Sequence, residues 1–297
     1  MCIKVIGIDP APSKKSTVYS EEDGFKSFDA NELKKYLQKL KDSEESVLIC
    51  WDAPLTGPRN PDAKQILPGD YTQRQIESFF KRQQGMKTPT GISVLGYASC
   101  PHWAITRAML GLPRVGCYDQ RGNLPFQLLA LDCERKVLDK LGEKCVVEVH
   151  PAVALWLWLK DIQNIKEEFE KNKWMKKEKN KKEEVMVMDW TYKYDEKKHE
   201  KLQRTKIEFF CEKLKDVILN DKIKKSLIEA INEIKNPKML PQGSKLDDMF
   251  DAMLAWLLGK QWIAGNDAVI LLGSREAGSM LLPNIEGLQQ RWNNFNP

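Results

Sequence analysis

The stretch LDDMFDAMLAWLLGKQW, residues 246–262, constrains this chain more than any other. Its apolar spacing predicts a helix starting near Lys245. At about 100° per residue, Asp248, Asp251, Ala252, Ala255 and Gly259 share one side, and Leu246, Met249, Phe250, Met253 and Leu257 the other. Such a helix must be buried nearly all round, and its small-residue side is where it can approach a sheet closely. Two carboxylates on that side enter a packed, poorly hydrated place, where they repel and each loses solvation. A cation has to answer them, either a Lys or Arg side chain or a divalent metal ion. Ser244 followed by Asp247 fits a capping box, so Ser244 is the expected N-cap and Asp247 already has a structural role.

Three apolar runs of strand length also deliver acids. VIGID (5–9) ends in Asp9, SVLICWD (46–52) ends in Asp52, and KCVVEVHP (144–151) carries Glu148 between two valines, with His150 at its end. An Asp at a strand end can be a turn residue that bonds its own backbone. Glu148 is harder to place, because a buried Glu is rare unless paired. Carboxylates from several strands and one buried helix are how a two-metal phosphoryl-transfer site is assembled. There, acidic oxygens hold two Mg²⁺ or Mn²⁺ ions about 4 Å apart.

Strands separated by helices predict an α/β fold. Between the acid-bearing runs, a short strand is expected at Phe25–Phe28 and a helix carrying Leu33, Tyr36, Leu37 and Leu40, capped by Asp29 or Asn31. Further helices are expected over 71–84, near His102–Leu110 and over Leu128–Leu141, and a last strand over 267–273. Residues 160–236 are crowded with Lys and Glu and read as two or more helices, with KKEKNKKEE (176–184) as a solvated helical face. The division expected is a core of residues 1–159 plus 237–297, interrupted by a charged helical insertion at 160–236.

No run approaches the ~20 apolar residues of a membrane span, and the N-terminus enters a strand directly, so a soluble cytoplasmic protein is expected. Seven cysteines are scattered without a C-x-x-C pair, which leaves zinc and a disulfide framework unsupported. A net charge of +5 is compatible with a polyanionic partner.

Four blocks, VIGIDPAP, CWDAPL, EVHPAVALW and DDMFDAMLAW, occur in an order that resembles the ribonuclease H-like (retroviral integrase) superfamily, closest to its predicted RNase H-like nucleases. GIDP and the D-x-x-D-A of the last helix are also similar to RuvC-type resolvases. The resemblance implies a mixed β-sheet flanked by helices and a metal-dependent nuclease acting on DNA or RNA. It also implies two Mg²⁺ or Mn²⁺ ions held by Asp9, Asp52, Asp248 and Asp251. Resolvases carry Glu where Asp52 stands here. Glu148 belongs to the E-V-H-P block, as a fifth ligand or as a brace of the site. Lys14, Lys15, Arg74, Arg107 and His150 are candidate substrate-binding groups, with exposed turn lysines, surface salt bridges and a packed His as their structural alternatives. An actin-like ATPase shares the opening strand and Asp but needs a Gly-Gly adenosine segment, and no Gly-Gly occurs here. A non-catalytic nucleic-acid-binding protein on the same fold is the third reading.

Overall fold

The computed structural model describes residues 3–11, 14–55, 74–81, 86–92, 127–129, 144–180, 183–193, 200–236, 238, 240–265, 267–274 and 278–295. Strand β1 (Lys4–Asp9) is central. It pairs antiparallel with β2 (Ser16–Ser20), which pairs with β3 (Gly24–Phe28), and on its other side it pairs in parallel with β4 (Val47–Trp51). Beyond β4 lie β6 (Lys144–Glu148) and the short β5 (Gln127–Leu129), giving a six-stranded mixed sheet in the order β3-β2-β1-β4-β6-β5. Leu128 and Leu129, expected to begin a helix, are instead edge-strand residues paired beside Val146 and Val147. A short apolar run reads equally well with either period, and pairing with a buried neighbour decided it.

Period-two alternation separates the sheet's faces. Ile6, Ile8, Ile49, Trp51 and Val146 meet Leu33, Leu37 and Leu40 of α1 (Ala30–Asp42) on one face. Asp29 caps α1 by accepting the Asn31 and Glu32 N–H groups at 2.8 and 2.9 Å. Val5, Leu48, Cys50, Cys145 and Val147 point to the other face, which is covered by α7 (Leu246–Ile263).

Helix α7 lies close against β1 and β4 because glycines remove the intervening atoms. A Cβ on Gly7 would strike the Ala252 carbonyl oxygen and the Trp256 nitrogen, and one on Gly259 would strike the Cys50 sulfur and Val5. Met249, Phe250, Leu254 and Trp256 are fully buried, each contributing about 2 kcal/mol relative to exposure. The helix begins one residue later than expected. Lys245 is the N-cap, and its N–H donates to the Asp248 carboxylate at 2.9 Å, so the capping acid is Asp248 rather than Asp247. Ser244 instead bonds Thr17 through its hydroxyl at 2.6 Å, tying β2 to the turn before α7.

Pro151 starts a further helix, α3 (Pro151–Leu159), directly after β6, with proline at the first position, where its missing N–H costs nothing. Helix α2 (Gln75–Lys81) falls inside the expected 71–84 segment. The Lys/Glu-rich region holds α4 (Ile165–Lys171), a β-hairpin of β7 (Met175–Asn180) and β8 (Glu183–Met188), and helices α5 (Glu200–Val217) and α6 (Asp221–Lys235). Within KKEKNKKEE, residues 176–180 and 183–184 are therefore paired strands and not a helical face. Opposite charges pair across its strands, as with Lys177 and Glu184 at 2.9 Å, and β-branched Val185 and Val187 favour the extended form. Phe169, Trp174, Trp190 and Phe210 from this region join the same hydrophobic cluster as α7.

After α7 come a second hairpin, β9 (Val269–Ser274) and β10 (Gly278–Pro283), and a short helix α8 (Leu288–Asn293). Leu281 makes an isolated parallel bridge to Val149, which places the hairpin by the end of β6. Cys50, Cys145 and Cys211 are buried. Among the described residues no helix is long and apolar enough to cross a membrane.

Candidate active site

Four of the predicted acids meet at one end of the sheet. Asp9 closes β1, and Asp52 follows β4 immediately, its N–H donating to the Ile8 carbonyl at 2.9 Å. By alternation, Asp9 follows Val5 and Gly7, and Asp52 follows Leu48 and Cys50, to the face that α7 covers. Helix α7 brings Asp248 and Asp251 to the same place in its first two turns. Asp251 is 1% exposed and Asp52 7%, while Asp9 and Asp248 are partly buried.

Their titration reports the crowding. Burial pushes the Asp9 carboxyl well above the usual range; Lys193 pulls it down, and Asp52, Asp251 and Asp248 push it up again. Burial likewise raises Asp248 to about 6, against the Lys245 N–H that favours its ionised form. Asp251 is raised by burial despite contacts from Lys193 and Tyr192. Three carboxyls shifted upward together mark a site where loss of hydration outweighs the positive charge that reaches it.

Asp247, buried at 6% exposure, adds its charge to the same cluster, acting on both Asp248 and Asp251. The spacing from Ser244 alone places Asp247 in the cap. The exchange of roles follows from the one-residue shift of the helix start.

Two residues of the charged region complete the site, and sequence reasoning missed both. Tyr192 donates its hydroxyl to Asp251 Oδ1 at 2.5 Å, and Lys193 places its Nζ 2.6 Å from Asp251 Oδ2. Burial works against the Lys193 ammonium, yet the attraction of Asp251, Asp52 and Asp9 raises its pKa and keeps it charged. Burial and the neighbouring Asp251 push the Tyr192 phenol upward, which keeps it a donor. The available signal was the WTYKY run at 190–194, an aromatic cluster inside a charged stretch.

Glu148 goes elsewhere. Its register partner is Trp51, so its side chain continues the Val146 set on the face opposite Asp9 and Asp52. There Arg74, itself 2% exposed, donates to both its oxygens at 2.9 and 2.5 Å, and the Leu55 N–H adds a third bond at 2.7 Å. Burial pushes the Glu148 carboxyl upward and the guanidinium pulls it down. With both oxygens held by N–H donors, the geometry keeps the pair ionised. Glu148 is thus not brought together with Asp9, Asp52, Asp248 and Asp251 but is held in an ion pair with Arg74. Arg74 also engages Glu77 at 2.7 Å through Nε, so it is a buried structural cation here and not a surface phosphate contact.

Lys14 is exposed after β1, and Lys15 lies over Gly243, which precedes the start of α7. His150 is buried between β6 and α3, and its carbonyl accepts the Ala154 N–H at 2.9 Å to begin that helix. Arg107 and the helix expected near His102–Leu110 lie outside the described residues.

Hard carboxylate oxygens and surplus negative charge match Mg²⁺ or Mn²⁺ in donor type. Among the described residues, however, no three His, Cys, Asp or Glu side chains converge closely enough to hold a metal ion as they stand. Comparison of the chain with protein-family models, with curated proteins and with solved structures finds no significant match.

Proposed function

We propose that this chain is a divalent-cation-dependent nuclease on a ribonuclease H-like sheet, hydrolysing phosphodiester bonds of DNA or RNA. One observation carries the reading: aspartates from β1, β4 and α7 gather at one end of the sheet, and the carboxyls of Asp9, Asp248 and Asp251 are raised together. A mixed sheet with Asp9 on its central strand is compatible with the same reading.

Asp9, Asp52, Asp248 and Asp251 would hold Mg²⁺ or Mn²⁺, which when bound generates a nucleophilic water and offsets charge on the phosphate. The protein supplies rigidity. Asp9 and Asp52 stand at the ends of adjacent buried strands, and Asp248 is tied to the Lys245 N–H. Lys14 and Lys15, in the segment that follows Asp9, would meet the backbone of the nucleic acid as positive charges.

Mn²⁺-dependent cleavage of plasmid DNA and of a structured RNA tests the proposal. Asp9→Asn and Asp251→Asn are expected to lose at least about 100-fold in rate, on the scale of losing one electrostatic element of a catalytic site, with circular dichroism unchanged. Undiminished cleavage by the double variant would overturn it. Metal-independent nucleic-acid binding without cleavage would favour a binding protein in which Lys193 neutralises the acids permanently.

A further inference from the structure

Building on the nuclease reading, we propose that Lys193 is a resident counter-cation of the aspartate site, delivered by a braced strap, and that a divalent ion enters by displacing it. The strap is residues 189–193, between β8 and the residues that precede α5. It is held by a buried ammonium. Lys206 of α5, whose side chain is 3% exposed, donates to the Asp189 carbonyl at 2.7 Å, the Thr191 carbonyl at 3.1 Å and Asp189 Oδ2 at 3.1 Å. Asp189 Oδ1 in turn accepts from the Thr191 hydroxyl at 2.6 Å and its N–H at 3.2 Å. Trp190 donates its backbone N–H to Thr90 at 3.1 Å and stacks on Phe210 at 5.8 Å.

Tyr192 then packs edge-on against Phe250 of α7 with ring centroids 5.1 Å apart, directly below Lys193. The result is that both oxygens of Asp251 are taken by the strap, Oδ1 by Tyr192 and Oδ2 by Lys193. A surface crossing needs no such brace. Burying an ammonium is costly unless its bonds are complete, and those of Lys206 go to the backbone of the segment that aims Lys193.

The asymmetry between the two lysines carries the displacement. Lys206 is sealed, but the Lys193 side chain is 54% exposed and can swing into water without disturbing the core. An ammonium and a divalent ion seek the same Asp251 oxygen and repel each other at that range, so the lysine sets a threshold for metal entry. It also accounts for acids that gather without forming a finished coordination set.

Mn²⁺ binding to the full chain, followed by the loss of the free-ion electron paramagnetic resonance signal, tests this without reference to activity. Lys193→Met is expected to bind Mn²⁺ about tenfold more tightly than the parent chain, the size of effect expected for removing a competing charge at contact. Lys193→Arg, which keeps the charge, should stay near the parent. Lys206→Met should tighten binding by a smaller factor, an effect that loss of packing alone would not produce. If Lys206→Met fails to fold, the two Lys193 variants decide. Equal affinity in the parent and Lys193→Met, with Mn²⁺-dependent cleavage intact, would overturn the inference and leave the nuclease reading standing. No Mn²⁺ binding in either would overturn both.

Discussion

Two buried acidic clusters flank the ends of β4 and β6, and they are built on opposite plans. Around Glu148, a planar guanidinium on a helix start reaches two carboxylates at once, and a backbone N–H fills the remaining position. Around Asp9, four aspartates with Asp247 beside them lean on the Lys193 ammonium, carried by a half-exposed side chain. A guanidinium fork matches carboxylate geometry and holds it, whereas a lysine supplies a point charge that can leave. The first cluster is held by a fork that is itself buried; the second is answered by a lysine whose side chain is half-exposed.

The largest effect should come from breaking the cluster around Glu148. Arg74→Met strands Glu148 and Glu77 in the core and is expected to cost about 3–5 kcal/mol, read from urea unfolding. Next is the contact that brings α7 to the sheet. Gly7→Ala forces a methyl into the Ala252 carbonyl and should cost about 2–3 kcal/mol. It should also loosen the aspartate site, since Asp9 and Asp251 meet only while α7 lies against β1.

The cluster around Asp9 should respond with the opposite sign. Because the fold raises the Asp9 carboxyl, the native state holds its proton more tightly than the unfolded chain does. That difference makes stability fall as pH rises from the unfolded value near 4 toward the higher folded one, so the penalty is absent near pH 4 and has built up by neutral pH. Asp9→Asn is therefore expected to raise the melting temperature at pH 7 by about 2–4 °C and to change it little at pH 4. Asp248, at about 6, titrates in the same window, and its Asn variant should flatten the same slope. An Asp9→Asn variant that melts lower at pH 7 than its parent would show that the two clusters do not differ as described. The smallest effect belongs to the charged hairpin. Lys177→Ala removes an exposed pair with Glu184 and should shift stability by less than about 0.5 kcal/mol.

Much of this comparison was legible before any coordinates. The shared side of Asp248, Asp251, Ala252 and Gly259 follows from helical period, and the small residues on it do meet the sheet. Asp9 and Asp52 were readable as strand ends. Glu148 was readable only as a buried acid in search of a partner. Its parity with Trp51 was available in principle, but only once the register of β6 against β4 was known. Asp247 and Asp248 exchanged roles because helix starts are set by cap geometry, which sequence spacing locates to within a residue or two.

The chain's own order of residues determined the acid-bearing strands, the buried helix α7 and the need for positive charge near its acids, because period and burial are local properties. Which cation answers each acid was decided only in three dimensions. Arg74 reaches Glu148 across 74 positions of sequence, and Tyr192 reaches Asp251 across 59. Among 47 Lys and Arg residues, nothing local distinguishes Lys193 from its neighbours. Its place on Asp251 depends on Lys206 bracing the strap and on Phe250 receiving Tyr192, contacts that exist only after α5 and α7 have packed.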